Sequence, residues 1–208
     1  MKKYSLFILT FLLLLAGCSH SGSADSDPET FLRDLYGDRI VTQDGKFFYH
    51  WNAGERYLDL EHDTEYLQPL LASDYDRYDV LITDGSLSVV PESLTQESAV
   101  SFEQPITPFI LNCAFANSYD SAWFEAAYVD VKLGGDWYAI FMPPAIFLDF
   151  PLEAGAEVHV PFIRLDDPNA AIPNGNYRVT LVVTRLDDTC TRCAVSAEFT
   201  IRNGELAG

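Results

Sequence analysis

The chain has 208 residues, 48% of them hydrophobic and 13% aromatic, with 13 Lys+Arg against 31 Asp+Glu and a formal net charge of −18. That apolar content supplies a core and excludes wholesale disorder, and the length suits one ordinary domain plus something smaller, or two small ones. The charge excludes a nucleic-acid binder, because affinity for phosphate backbones comes mostly from Lys and Arg displacing counterions.

Lys2 and Lys3 precede an apolar run, Ser5 to Leu15. It falls short of the ~20 residues that a permanent membrane-spanning helix needs, so it reads as an export signal. The string Leu15-Ala16-Gly17-Cys18 resembles the bacterial lipobox. The resemblance implies diacylglyceryl transfer to the Cys18 thiol, cleavage before Cys18 and anchoring by acyl chains. Removing residues 1–17 takes away both lysines and no acid, leaving 191 residues and a formal charge of −20. Anionic headgroups repel such a body, so the lipid on Cys18 is its expected partner in the membrane. Ser19 stands where the inner-membrane retention signal of enteric bacteria has Asp. The expected location is the cell envelope: the outer membrane if the host has one, otherwise the outer face of the plasma membrane.

Residues 18–27 read as a flexible tether, since Ser, Gly, Asp and Ala cannot repay the entropy of ordering. Asp27-Pro28-Glu29-Thr30 is a helix start, the apolar stripe Phe31, Leu32 and Leu35 continues it, and Gly37 stops it, which predicts a helix over Pro28–Tyr36. Asp44-Gly45 turns the chain into a strand over 46–51, and 55–60 is another short candidate. A helix can begin at Asp63, but Pro69 denies it an interior hydrogen bond. Val80–Ile82 and Ser86–Val90 flank Asp84-Gly85 as a short hairpin. Residues 28–95 therefore form a small α+β segment.

From Ala99 the alternation becomes regular. Val100, Phe102 and Ile106 alternate with polar residues, and Phe109, Leu111, Cys113 and Phe115 share one face of a strand. Runs over 123–133 and 136–141 are joined by Gly134-Gly135, a hairpin signal because both residues take positive φ at no cost. That register pairs Leu133 with Asp136, Val131 with Tyr138 and Val129 with Ile140, and it sets Lys132 against Trp137 on the opposite face. Further strands are expected over 147–152, 157–163, 177–184 and 194–202. Tyr177, Val179, Leu181 and Val183 share one face, as do Val195, Ala197, Phe199 and Ile201. Short alternating strands at this spacing predict an antiparallel sandwich. Gly135-Asp136-Trp137-Tyr138, Leu152-Glu153-Ala154-Gly155, Pro173-Asn174-Gly175-Asn176-Tyr177-Arg178-Val179 and Ser196-Ala197-Glu198-Phe199-Thr200-Ile201 follow one another as in a class of bacterial immunoglobulin-like domains. The resemblance covers residues 97–203 and implies a mainly β fold, a C-terminal antiparallel immunoglobulin-like β-sandwich behind the α+β segment. It brings no catalytic residues.

Setting Cys18 aside leaves Cys113, Cys190 and Cys193. Cys113 lies on a core face and is expected buried. Cys190 and Cys193, at i and i+3 of a turn and hence within about 7 Å, are expected to form a hairpin-clamping disulfide; metal-binding or unpaired thiols and a redox Cys-x-x-Cys are the alternatives, the last lacking the helix N-terminus that depresses a thiol pKa. His62 among Asp59, Glu61 and Asp63, and the series Asp74, Asp76 and Asp79, could meet a cation, yet lack metal-site spacing, and read as solvated loops. No nucleophile elbow, phosphate loop or dinucleotide fingerprint is present. No catalytic, cofactor or metal residue is assigned. Tyr57, Tyr66, Tyr75 and Tyr78 among carboxylates, with Trp51, Trp123 and Trp137 on the strands, would suit a surface for a protein or glycan partner. The expectation is a lipid-anchored, non-catalytic scaffold or binding module. The alternatives are an envelope hydrolase with a carboxylate pair in residues 38–90, and an acidic inhibitor or chaperone-like partner of a basic protein.

Overall fold

The structure is a computed structural model, and it describes residues 27–51, 66–72, 86–96, 99–100, 105–106, 109–117, 122–140, 150–153, 155–162, 172–186 and 190–207. It is mainly β, with antiparallel sheets and one short α-helix. Helix α1 (Pro28–Tyr36) begins and ends as expected. The Asp27 carboxylate accepts from the Thr30 N–H at 3.2 Å, and the proline at the helix start has no N–H to satisfy. Gly37 ends the helix at φ 58°, a conformation that favours glycine. Phe31 and Leu32 point inward, while Arg33 pairs with Glu29 at 2.9 Å on the exposed side.

A 3-10 turn (Gly37–Arg39) leads into β1 (Ile40–Gln43), and Asp44-Gly45, both at positive φ, turns the chain into β2 (Lys46–Trp51). β3 (Tyr66–Pro69) completes a small meander of order β1-β2-β3. Asp63 lies outside the described residues, and Pro69, which argued against a helix here, pairs with Phe48 on an edge strand, a position that tolerates its missing N–H. Tyr49 packs edge-on to Tyr36 and Trp51, with ring centroids 5.2 and 4.8 Å away. Trp51 is buried and donates from Nε1 to Gln68 Oε1 at 2.9 Å, so this tryptophan belongs to the core.

The remaining strands are β4 (Leu87–Gln96), β5 (Ala99–Val100), β6 (Pro105–Ile106), β7 (Phe109–Asn117), β8 (Ala122–Leu133), β9 (Asp136–Ile140), β10 (Phe150–Leu152), β11 (Glu157–Phe162), β12 (Gly175–Arg185), β13 (Arg192–Arg202) and β14 (Glu205–Ala207). One sheet has the order β11-β7-β4; a six-stranded sheet has the order β10-β8-β12-β13-β14, with β9 also pairing β8; β5 and β6 pair separately. The β8–β9 hairpin has the register read from the sequence, Leu133 opposite Asp136 through Val129 opposite Ile140, around Gly134 and Gly135 at φ 58° and 101°.

Two elements differ from the sequence reading. β4 is no short hairpin arm: it runs through Pro91 because an irregularity between Pro91 and Ser93 shifts the register against β7. A bulge leaves an extra residue out of the ladder, and this lets the strand continue past the proline and Glu92. Residues 87–96 thus belong to a sheet with β7 and β11. β14 was not anticipated. Asn203-Gly204, both at positive φ, folds it back on the end of β13.

A single cluster of buried side chains joins α1 (Phe31, Leu32), the β1–β3 meander (Ile40, Tyr49, Trp51) and both larger sheets (among them Phe115, Leu133, Val158, Leu181). The N-terminal segment also closes one edge of the six-stranded sheet. Ala139 N–H donates to Leu70 O at 2.7 Å, and Leu71 bridges Tyr138. The loops expected to be solvated around His62 and Asp74–Asp79, the strand over 55–60, the arm over 80–82, and Cys18 with the signal and the tether as far as residue 26 lie outside the described residues.

Candidate functional site

Strand alternation divides each face of the six-stranded sheet. Val129, Val131, Tyr138, Ile140, Tyr177, Val179 and Leu181 enter the common core. Their neighbours Asp130, Lys132, Trp137, Arg178, Thr180 and Ser196 occupy the other face. The centre of that face is small and apolar: Ala126, Val182 and Ala194 lie side by side across β8, β12 and β13, with Tyr128 packed against them. Thr180 and Ser196 share a hydrogen bond of 2.7 Å beside them.

At the hairpin end stands the most concentrated chemistry. Asp130 and Arg178 are directly opposite on β8 and β12. Arg178 donates from Nε at 3.1 Å and from Nη2 at 2.6 Å to Asp130 Oδ2, and the Asp130 side chain is only 1% exposed against 20% for Arg178. The Trp137 ring reaches from β9 to this pair, with Arg178 Cζ 4.5 Å and Lys132 Nζ 5.4 Å from its centroid. A ring quadrupole attracts both cations. Among the described residues no carboxylate pairs with Lys132 and none accepts from Trp137 Nε1. Asn176, exposed at the start of β12, accepts from Thr200 Oγ1 at 3.0 Å and completes the rim.

At the opposite end, the register of β8 against β12 shifts between Val182 and Val183, leaving Glu125 out of step. Glu125 accepts from Thr184 Oγ1 and from Arg192 Nε. Burial opposes its charged form, but those hydrogen bonds and the Arg192 charge outweigh burial and hold the Glu125 carboxyl below its ordinary value. The pKa is depressed in the folded chain, so the stability it confers is present above the unfolded carboxyl pKa, near 4.5, and is lost as pH falls through that region and below. Glu125→Gln should therefore flatten the acid side of a stability-versus-pH curve measured by thermal melts from neutral to acid pH. An unchanged acid limb would refute the assignment.

The sheet β11-β7-β4 carries a second polar row on the side away from the core. Asn112 Nδ2 donates to Ser93 Oγ at 2.9 Å, and His159 Nδ1 meets Asn112 Oδ1 at 2.6 Å. Asn112 is nearly buried and His159 exposed, so the imidazole caps a satisfied amide.

The cysteines fall as one expectation met and one corrected. Cys113 is buried on β7, where burial foremost and then the Glu92 charge push its thiol up to about 12. No disulfide joins Cys190 and Cys193. Cys193 is an inward position of β13, buried, with Sγ donating to Thr191 O at 3.2 Å, whereas Cys190 is exposed at φ 46°. Both are thiols in this structure, where turn spacing alone suggested a clamp. On a Cys18→Ala background, a thiol reagent should react with Cys190 in the native chain and with Cys113 and Cys193 only after denaturation. A mass lacking the hydrogens of two thiols would restore the clamp.

Among the described residues no group of three or more His, Cys, Asp or Glu gathers as a metal site. No described helix is long and apolar enough to cross a membrane. Trp123 stands half-buried between Pro151 and Thr184. Sequence reading paired Trp137 with Lys132 but missed Arg178 and Asp130, whose signal was an Arg and an Asp at facing positions of adjacent strands. Comparison with family models, with curated proteins and with solved structures finds no match.

Proposed function

We propose that this chain is a lipid-anchored cell-envelope protein whose two larger sheets form an immunoglobulin-like sandwich acting as a non-catalytic binding module or scaffold. The observation that carries the fold is strand order. β4, β7 and β11 stand as A, B and E of such a domain, and β9, β8, β12 and β13 as C′, C, F and G. Tyr177 adds support: near the start of β12 its hydroxyl donates to Pro173 O, four residues upstream, at 2.6 Å, as in the tyrosine corner of that fold. The chain departs from the antibody pattern in the inter-sheet disulfide, since β12 presents Val179, Leu181 and Val183 to the core in place of a cysteine.

The anchor rests on Leu15-Ala16-Gly17-Cys18 and on a charge that would repel the protein from anionic headgroups without a lipid. The binding reading rests on the Trp137 cluster, a half-buried aromatic framed by hydrogen-bonding side chains. Feeding cells a fatty-acid analogue should label the wild-type chain and not Cys18→Ala. Equal labelling of the two overturns the anchor.

A further inference from the structure

We infer that the outer edge of β13 joins the same edge of a second copy of this chain, antiparallel about a two-fold axis at Val195. The inference goes beyond the binding-module reading and holds with or without a lipid on Cys18.

A strand edge presents a row of N–H and C=O groups to any other chain, and folds blunt such edges with proline, bulges, shortness or cover. This chain does so at its other described edges. β3 carries Pro69, β10 Pro151 and β11 Pro161, while β4 carries Pro91 and a bulge. Leu70 and Leu71 cover β9. β1, β5, β6 and β14 are only two to four residues long. β13 differs from all of these. It has eleven residues and no proline; β12 pairs one side from Arg192 to Ile201, whereas β14 pairs the other only at Thr200–Arg202. Among the described residues no strand pairs with Ala194–Phe199 on that side, and β4, which passes close by in the facing sheet, has its ladder with β7.

The sequence along this edge is complementary to itself. A two-fold axis at Val195 sets Arg192 opposite Glu198 of the second copy, Cys193 opposite its Ala197 and Ala194 opposite its Ser196, and symmetry repeats each contact. Opposite charges meet at both ends of the ladder, and the small side chains between them let the backbones approach. Moving the axis to Ser196 would put Arg192 against Thr200, where β14 already pairs; moving it to Ala194 would put Glu198 against Cys190, ahead of the strand. Glu198 also faces Arg178 across β12, but Arg178 is held by Asp130 and no ion pair joins it to Glu198. Arg192 gives its Nε to Glu125 and is 35% exposed, so its guanidinium can serve a second carboxylate. A chain with a formal charge of −18 repels its own copy. Association is therefore favoured where opposite signs meet at short range, and this register brings them together twice.

The test is sedimentation of the full chain in detergent, with micelles in large excess over protein so that two chains share a micelle only by binding each other. Particles should hold two chains and dissociate on dilution. Glu198→Lys sets like charges against each other at both ends and should weaken association by about tenfold or more. Its thermal midpoint should stay within a few degrees, because Glu198 is exposed. Arg192→Glu combined with Glu198→Lys reverses both signs and should regain most of the association. For the register, Val195→Cys on a Cys190→Ser background should crosslink to itself when diamide oxidises the paired thiols, and the Cys190→Ser parent should not. Facing Cα atoms of an antiparallel pair stand about 4.5–5.5 Å apart, within disulfide reach. A single chain at every concentration, a dimer that Glu198→Lys leaves as tight, no recovery in the double variant, or no crosslink at Val195→Cys overturns the inference. Crosslinking of Val195→Cys to a different envelope protein in intact cells would give the edge to a foreign strand and overturn the second copy as well.

Discussion

Arg178→Met should lower the unfolding free energy by about 3–5 kcal/mol, whereas Arg192→Met should cost about 1 kcal/mol or less. Both arginines pair with a carboxylate on β8, at 2.6 and 2.5 Å, and distance does not separate them. Burial does. The Asp130 side chain is 1% exposed, so removing its guanidinium leaves an ionised carboxylate in a medium that solvates it poorly. Glu125 is 28% exposed and Arg192 35%, so water takes over when that partner is lost. Arg178→Met also strips a cation from the Trp137 face, worth about 0.5–2 kcal/mol. The double variant Asp130→Leu/Arg178→Met should recover most of the loss, because the penalty lies in the stranded charge and not in a missing attraction. Urea titrations of the three variants check this. Equal losses for Arg178→Met and Arg192→Met, or no recovery in the double variant, would show that the pair is solvated in the native state.

That asymmetry also marks what the sequence could convey. Period-two alternation places side chains on faces, so the core positions of β7, β8, β12 and β9 were legible, and Gly134-Gly135 set a register that the structure reproduces residue by residue. Helix α1 was legible for a similar reason: its cap, its proline and its stop are local. What alternation cannot say is which strand lies on the far side of β8. The Asp130–Arg178 pair spans 48 positions of chain and depends on β12 lying there. Non-local pairing carries no local signature, so the site emerged only from the sheet order. β4 was obscured by a different cause. Pro91 reads as a break, and only an irregularity in the ladder, invisible to composition, absorbs it. β14 was within reach, because Asn203-Gly204, flanked by Arg202 and Glu205 with Ile201 and Leu206 beyond them, is a strong two-residue hairpin signal. The cysteine expectation failed at the same boundary between local and tertiary information: spacing set a distance, whereas the burial of Cys193 is decided by the rest of the core.

The same non-local packing makes the N-terminal segment part of one folding unit, and Leu32→Ala tests it. Leu32 is fully buried in the cluster that also holds Leu133, Val131 and Tyr177, and its helix is docked on the hairpin turn, with Pro28 Cγ 3.5 Å from where a Cβ on Gly134 would stand. Truncating a buried leucine costs about 2–5 kcal/mol, the upper end where the neighbours cannot collapse into the space. Here the neighbours are strands fixed by their own ladders, which limits relaxation and favours the larger loss. The substitution should therefore shift a single unfolding transition, seen at the same denaturant concentration by tryptophan fluorescence and by far-UV circular dichroism, since Trp51 reports the meander and Trp123 and Trp137 report the six-stranded sheet. A helix and meander folding apart from the sheets would instead give two transitions, with Leu32→Ala moving only the first. An unmoved sheet transition would refute the shared core and return the boundary to a true domain junction.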